Sequence, residues 1–93
     1  MEKTELMDNQ IQPLTSNSNN KVFYNTEGVK KADYCNFKEA FEYFTKAIEL
    51  DPKDSLSYFN RATVEMAMGK ILDAMSDFKL AERFRQLEMS QTF

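Results

Sequence analysis

From Val22 onward, apolar residues recur at the three- and four-residue steps of helices. Val22, Phe23, Tyr24, Val29, Ala32 and Tyr34 fit one amphipathic helix. Phe37, Ala40, Phe41, Phe44, Ala47, Ile48 and Leu50 fit a second. Between them, Asn36-Phe37-Lys38-Glu39 reads as a capping box, with Asn36 accepting from the Glu39 amide while Glu39 reaches back. Asp51-Pro52 ends the second helix, because the residue before a proline is pushed out of the helical region. Asp54 is a good N-cap for a third helix, from Ser55 to about Met68. Gly69 is placed to take the left-handed conformation that stops it. A fourth helix runs from about Ile71 to Glu88. The connections are short, so neighbouring helices are expected to lie antiparallel.

Residues 1–20 have no such pattern. They are polar, contain Pro13 and end in Thr15-Ser16-Asn17-Ser18-Asn19-Asn20. A stretch of this kind buries too little apolar area to offset its ordering entropy. A disordered tail is expected there. The sharper alternative is a short peptide with Leu6, Met7, Ile11 and Leu14 that docks back on the helices.

Displaced by 34 residues, the second half lies over the first. Tyr24 meets Tyr58, Ala40 meets Ala74, Phe44 meets Phe78, Ala47 meets Ala81, and Gly28 meets Ala62. Ala40, Phe44 and Ala47 share one helix face, with small residues where paired helices must approach closely. The expected units are residues 21–54 and 55–88, with 89–93 as a C-terminal end.

These positions resemble the tetratricopeptide repeat family, whose 34-residue pattern runs from an early aromatic through a small residue, Ala, aromatic and Ala to a terminal Pro. The first unit matches at Tyr24, Gly28, Phe37, Ala40, Phe44, Ala47, Leu50 and Pro52. The second matches at Tyr58, Ala62, Gly69, Ala74, Phe78 and Ala81. The chain departs from the family at Glu27 and Arg61, where Leu is usual, at Cys35, where Gly is usual, and at Gln86, where Pro is usual. Without that proline the fourth helix is expected to continue through Leu87-Glu88. The resemblance implies an all-α fold, two antiparallel helix-turn-helix units in a short α-solenoid behind the tail.

Composition narrows the function. Net charge is −3 and both signs are interspersed, so the basic footprint of a nucleic-acid binder is absent. No run is long and apolar enough for a membrane span, and the N-terminus lacks the apolar core of a signal peptide. Cys35 is the only cysteine, which fits a reducing compartment, and a cytoplasmic or nuclear location is expected. With no His, the commonest general base and neutral metal ligand are missing. Cys35 has no imidazole partner, and Glu39/Glu42 and Asp73/Asp77 read as solvated helix faces. No enzyme activity, metal or cofactor is expected.

The function expected instead is protein–protein interaction, as an adaptor or scaffold. Stacked helix pairs create a concave surface lined by the first helix of each pair. By resemblance, Val22, Asn25, Val29 and Ala32 would line it in the first unit, and Leu56, Phe59, Asn60, Thr63 and Met66 in the second. Such a surface suits an extended or helical peptide. Some members of the family clamp the C-terminal carboxylate of chaperone peptides. Asn60-Arg61 resembles one piece of that clamp, but Asn25 and Val29 stand where its other donors would be. The fourth helix is apolar on more than one face, and Leu80, Phe84 and Leu87 are candidates for self-association into a homo-oligomer. The alternatives are cover by a partner, or a chain that is a fragment or isoform of a longer array.

Overall fold

A computed structural model describes residues 17–90. The docking peptide Leu6–Leu14, most of the expected tail and the last three residues lie outside the described residues. Four helices follow one another: α1 (Asn17–Asp33), α2 (Phe37–Leu50), α3 (Ser55–Ala67) and α4 (Ile71–Ser90). Helix α1 packs on α2, and α3 on α4. Helix α3 also packs on α2 and, more lightly, on α1, which joins the hairpins into a stack. Among the described residues no helix is long and apolar enough to cross a membrane.

The start of α1 corrects one expected boundary. Asn17–Asn20, assigned above to the tail, form the helix's first turn. Four consecutive polar residues hide a helix start from periodicity, because they supply no apolar face to count.

Both hairpin turns use the same hydrogen bonds. In the first, the Cys35 amide donates to Ala32 O (2.9 Å) and the Asn36 amide to Lys31 O (2.8 Å). In the second, the Gly69 amide donates to Met66 O (3.0 Å) and the Lys70 amide to Glu65 O (2.8 Å). This is the Schellman arrangement, which requires a left-handed residue at its corner. Gly69 takes it at φ 80°, as expected, and Cys35 takes it at φ 62°.

The capping box at Asn36 is absent. The Asn36 amide that Glu39 would have reached is already committed to Lys31 O, and Glu39 pairs with the Lys31 ammonium instead (3.3 Å). Asp54 does cap α3, accepting from the Ser57 amide at 3.0 Å.

The left-handed conformation strains an L-residue by about 1–2 kcal/mol, offset in part by glycine's greater freedom in the unfolded chain. Cys35→Gly is therefore expected to stabilise the protein by about 0.5–1 kcal/mol. A urea midpoint equal to or below that of the parent would contradict this.

The core follows the repeat. Ala40, Phe44 and Ala47 of α2, Ala62 and Val64 of α3, and Ala74 and Ala81 of α4 are buried. Phe44, Ala40 and Val64 form its centre, with Ala32, Phe37 and Phe41 packed around them. Gly28 allows α1 to press directly on the Phe44 ring. A Cβ there would lie 2.7 Å from Cδ1, 2.8 Å from Cζ and closer still to Cε1.

Candidate functional site

A chain of polar contacts fastens the two repeats. Lys21 of α1 donates to Asp51 Oδ2 (2.9 Å) and Asp54 Oδ1 (3.2 Å). The Asp51 carboxylate raises the Lys21 pKa, and the Lys21 ammonium lowers that of Asp51. Asn25 Nδ2 donates to Ser57 Oγ (2.9 Å), Ser57 Oγ donates to Asp54 Oδ2 (2.5 Å), and Asn60 Nδ2 donates to Asn25 Oδ1 (3.2 Å). Asn25 is only 7% exposed. Both amide groups of a nearly buried Asn thus find partners, as burial demands.

A second polar cluster lies between α3 and α4. Arg61 grips Asp77 with two bonds, Nε to Oδ2 at 2.7 Å and Nη2 to Oδ1 at 3.0 Å. Its Nη1 reaches across the joint to Thr45 Oγ1 of α2 (3.3 Å), and its guanidinium lies 5.6 Å from the Phe41 ring centre. Asp77 is buried, which corrects its reading as part of a solvated face. Beside it lies Glu65, also buried, with Oε2 4.0 Å from Arg61 Nε. Among the described residues, no hydrogen-bond partner reaches Glu65 Oε1.

Burial foremost, then a hydrogen bond from the protonated acid to Asp77 and the Asp77 charge, push the Glu65 pKa up to about 7. Arg61 opposes this only in part. An acid with a raised folded-state pKa contributes most when both states are protonated. That contribution is lost as pH rises from its ordinary 4.5 through about 7. Glu65→Gln removes the ionisation and keeps a donor for Asp77. Relative to this variant, the parent is expected to lose stability on the order of 2 kcal/mol between pH 5 and pH 8. Parallel pH–stability curves for the two proteins would sink the assignment.

The residues expected to bind a peptide divide into groups. Val22, Val29 and Leu56 are open, at 59%, 44% and 56% exposure, and Thr63 is exposed beside them. Asn60 is half-buried and Asn25 is committed to the joint. Phe59 and Met66 are exposed, yet their equivalents one repeat earlier, Asn25 and Ala32, lie under or beside α3. Phe59 also lines an open groove of about 460 Å³ between α3 and α4, with Leu56, Phe78, Ala81 and Arg85.

Of the residues expected to self-associate, Leu87 is exposed and Leu80 half-buried. Phe84 stacks on Tyr58, ring centres 5.5 Å apart, which commits much of its ring to the intramolecular core. Among the described residues no group of three or more His, Cys, Asp or Glu is arranged to hold a metal ion.

Sequence reasoning missed the Arg61–Asp77–Glu65 cluster. The available signal was the departure at Arg61, where a charged side chain replaces the family's usual apolar one and so needs a buried partner.

Comparison with known proteins agrees with the repeat. Residues 43–75 match a tetratricopeptide repeat model, which spans the joint from late α2 to early α4. The chain is 40% identical over 53 residues to DnaJ homolog subfamily C member 7 of Homo sapiens, covering 57% of this chain and 10% of that protein. It is 44% identical over 59 residues to Hsp70-Hsp90 organizing protein 3 of Arabidopsis thaliana, covering 62% and 10%. It is 44% identical over 45 residues to Tetratricopeptide repeat protein 6 of Homo sapiens, covering 48% and 9%. The chain thus spans about a tenth of the length of these relatives. No solved structure matches it. With two antiparallel hairpins repeating every 34 residues, the same turn in each, and a family match over residues 43–75, the helical part of this chain is similar to tetratricopeptide repeat proteins.

Proposed function

We propose that this protein is an adaptor module that holds an apolar or amphipathic segment of another protein on its α1/α3 face. The observation that carries the reading is the open apolar stripe of Val22, Val29 and Leu56, continued by Thr63 and edged by the Asn60 amide. Phe59 and Met66 extend it toward the open end of the stack. An isolated exposed Leu or Val needs no explanation, but a stripe along two adjacent helices supports a docking surface. The stripe also has a rigid floor, because Asn25, Ser57 and Lys21 lock the two helices together beneath it. A site that is ordered before binding loses less entropy on association.

The family supports the general role of interaction with other proteins, and the Arabidopsis relative is named for organising Hsp70 and Hsp90. A carboxylate clamp is not the form proposed for this chain. Asn25 and Arg61, the polar side chains nearest to such a role, are turned to Ser57, Asn60 and Asp77. The recognition proposed rests on apolar contact with a few hydrogen bonds, as for a helix laid in a groove.

The test is selection from a displayed library of random peptides on the purified protein. Peptides that bind are expected to lose about tenfold or more in affinity when Val29 and Leu56 are both replaced by Glu. The reading is abandoned if no peptide is enriched, or if enriched peptides bind the double variant equally well while it keeps its helical spectrum.

A further inference from the structure

Among the described residues, the repeat leaves a seat open between α3 and α4 and carries in α1 a helix that matches it. Within the chain, α3 sits in the groove formed by α1 and α2. Val64 enters the core there, Ser57 meets Asn25, Arg61 meets Thr45, and Met68 lies beside Cys35 and Phe37 at the turn. Thirty-four residues on, the same groove recurs between α3 and α4, and none of the described residues of another helix sits in it. Its counterparts of Asn25, Phe41 and Phe37 are Phe59, Met75 and Ile71, all exposed. Its turn, Gly69 to Asp73, forms an open hollow equivalent to the one that Met68 borders in the first repeat.

We propose that the occupant is α1 of a second copy of this chain, so that copies stack head to tail through the joint that already holds the two repeats together. This goes beyond the proposed peptide site, because it uses the two ends of the stack.

The case rests on complementarity position by position. Helix α1 is the counterpart of α3, and its outward residues match the changed chemistry of the seat. Where α3 offers Ser57 to Asn25, α1 offers Phe23 to Phe59. Both rings are more than half exposed. Where α3 offers Arg61 to Thr45, α1 offers Glu27, paired with Lys30 at 3.3 Å on its own helix, to Lys79, which brings opposite charges together. Where α3 offers Met68 to the turn, α1 offers Tyr34, 80% exposed, to the hollow at Ile71. The poorest fit is Lys30, which stands where α3 has Val64. Its methylene stem can lie along the apolar wall while its ammonium leaves the groove. A contact between unlike surfaces cannot stop at a symmetric dimer: it adds copies until a ring closes, or without limit if none does.

Light scattering of the 93-residue chain across a dilution series tests this. The mass is expected to rise with concentration past that of a dimer. Phe23→Glu blocks one end and Met75→Glu the other, at exposed positions, so each variant alone is expected to stay monomeric with an unchanged helical spectrum. Their equimolar mixture retains one live end on each partner and is expected to form a one-to-one dimer that grows no further. Lys30→Val is expected to tighten the association of the parent. A parent that stays monomeric at every concentration overturns the proposal. So does a closed dimer that survives Phe23→Glu, or a mixture that remains monomeric while the parent associates. Should either blocking variant lose its fold, the charge pair decides. Glu27→Lys is expected to weaken association and Lys79→Glu in the same chain to restore it, and failure of the restoration overturns the register.

Discussion

Arg61→Met is expected to unfold a large fraction of the protein, with a loss of about 3–5 kcal/mol. The substitution keeps most of the side-chain volume against Phe41 and Tyr58, but it strands Asp77, which is bound to Arg61 by two bonds in a site that is 4% exposed. Glu65 lies on the same side, so a second acid then adjoins the uncompensated one. A domain of this size has a stability of only a few kcal/mol, so the loss consumes most of it. Replacing Arg61 by Met and Asp77 by Leu together removes the stranded charge, and the pair is expected to recover more than half of the single-variant loss. Urea denaturation followed by circular dichroism reads both. If Arg61→Met stays within about 1 kcal/mol of the parent, the pair contributes no more than an exposed ion pair and the cluster has been misjudged.

Gly28→Ala is the second large effect. In an exposed helix this exchange stabilises by up to about 1 kcal/mol, because Ala is the better helix former. Here the new methyl would overlap the Phe44 ring, itself buried in one cluster with Ala40 and Val64. Overpacking of this kind costs about 1–3 kcal/mol and outweighs the propensity gain. The cause can be isolated, because Phe44→Leu withdraws the ring atoms involved. Gly28→Ala is expected to be markedly less harmful on the Phe44→Leu background than on the parent, a non-additivity of about 1 kcal/mol or more. Additive effects would mean that the methyl is accommodated elsewhere. The second repeat offers a precedent for such accommodation. It carries Ala62 in place of Gly28, and its Phe78 is less buried and lies edge-on to Phe59, 5.6 Å between ring centres.

Much of this architecture was legible in the residues because it is local or repeated. The Asp54 cap, the stop at Asp51-Pro52 and the left-handed Gly69 each depend on one or two residues and one backbone preference. The buried Ala and Phe positions emerged from the 34-residue displacement. What did not emerge depends on side chains meeting across helices. Asn25 reads as a surface amide until Ser57 and Asn60 are seen to enclose it. Asp77 reads as solvated until Arg61, sixteen residues away, is seen to grip it. The Asn36 box failed for a related reason. The motif was present, but its amide was claimed by a carbonyl of the preceding helix. Helix faces are set by period, whereas polar partners are set by the angle at which helices cross, which no single window of sequence encodes.

The polar fastening between the repeats has a consequence for shape. Apolar surfaces slide past one another at little penalty, so a joint made of Val64, Phe41 and Ala40 alone would hold the hairpins together without fixing their alignment. The bonds from Asn60 to Asn25 and from Asn25 to Ser57 tolerate no such freedom, because a shift of one helical turn between α1 and α3 would break both. Alignment at the joint sets the angle between successive hairpins, and that angle, compounded at each joint, is the superhelical pitch of any longer stack. In this protein, curvature is therefore written in hydrogen-bond register, and a single amide at position 25 acts as its vernier.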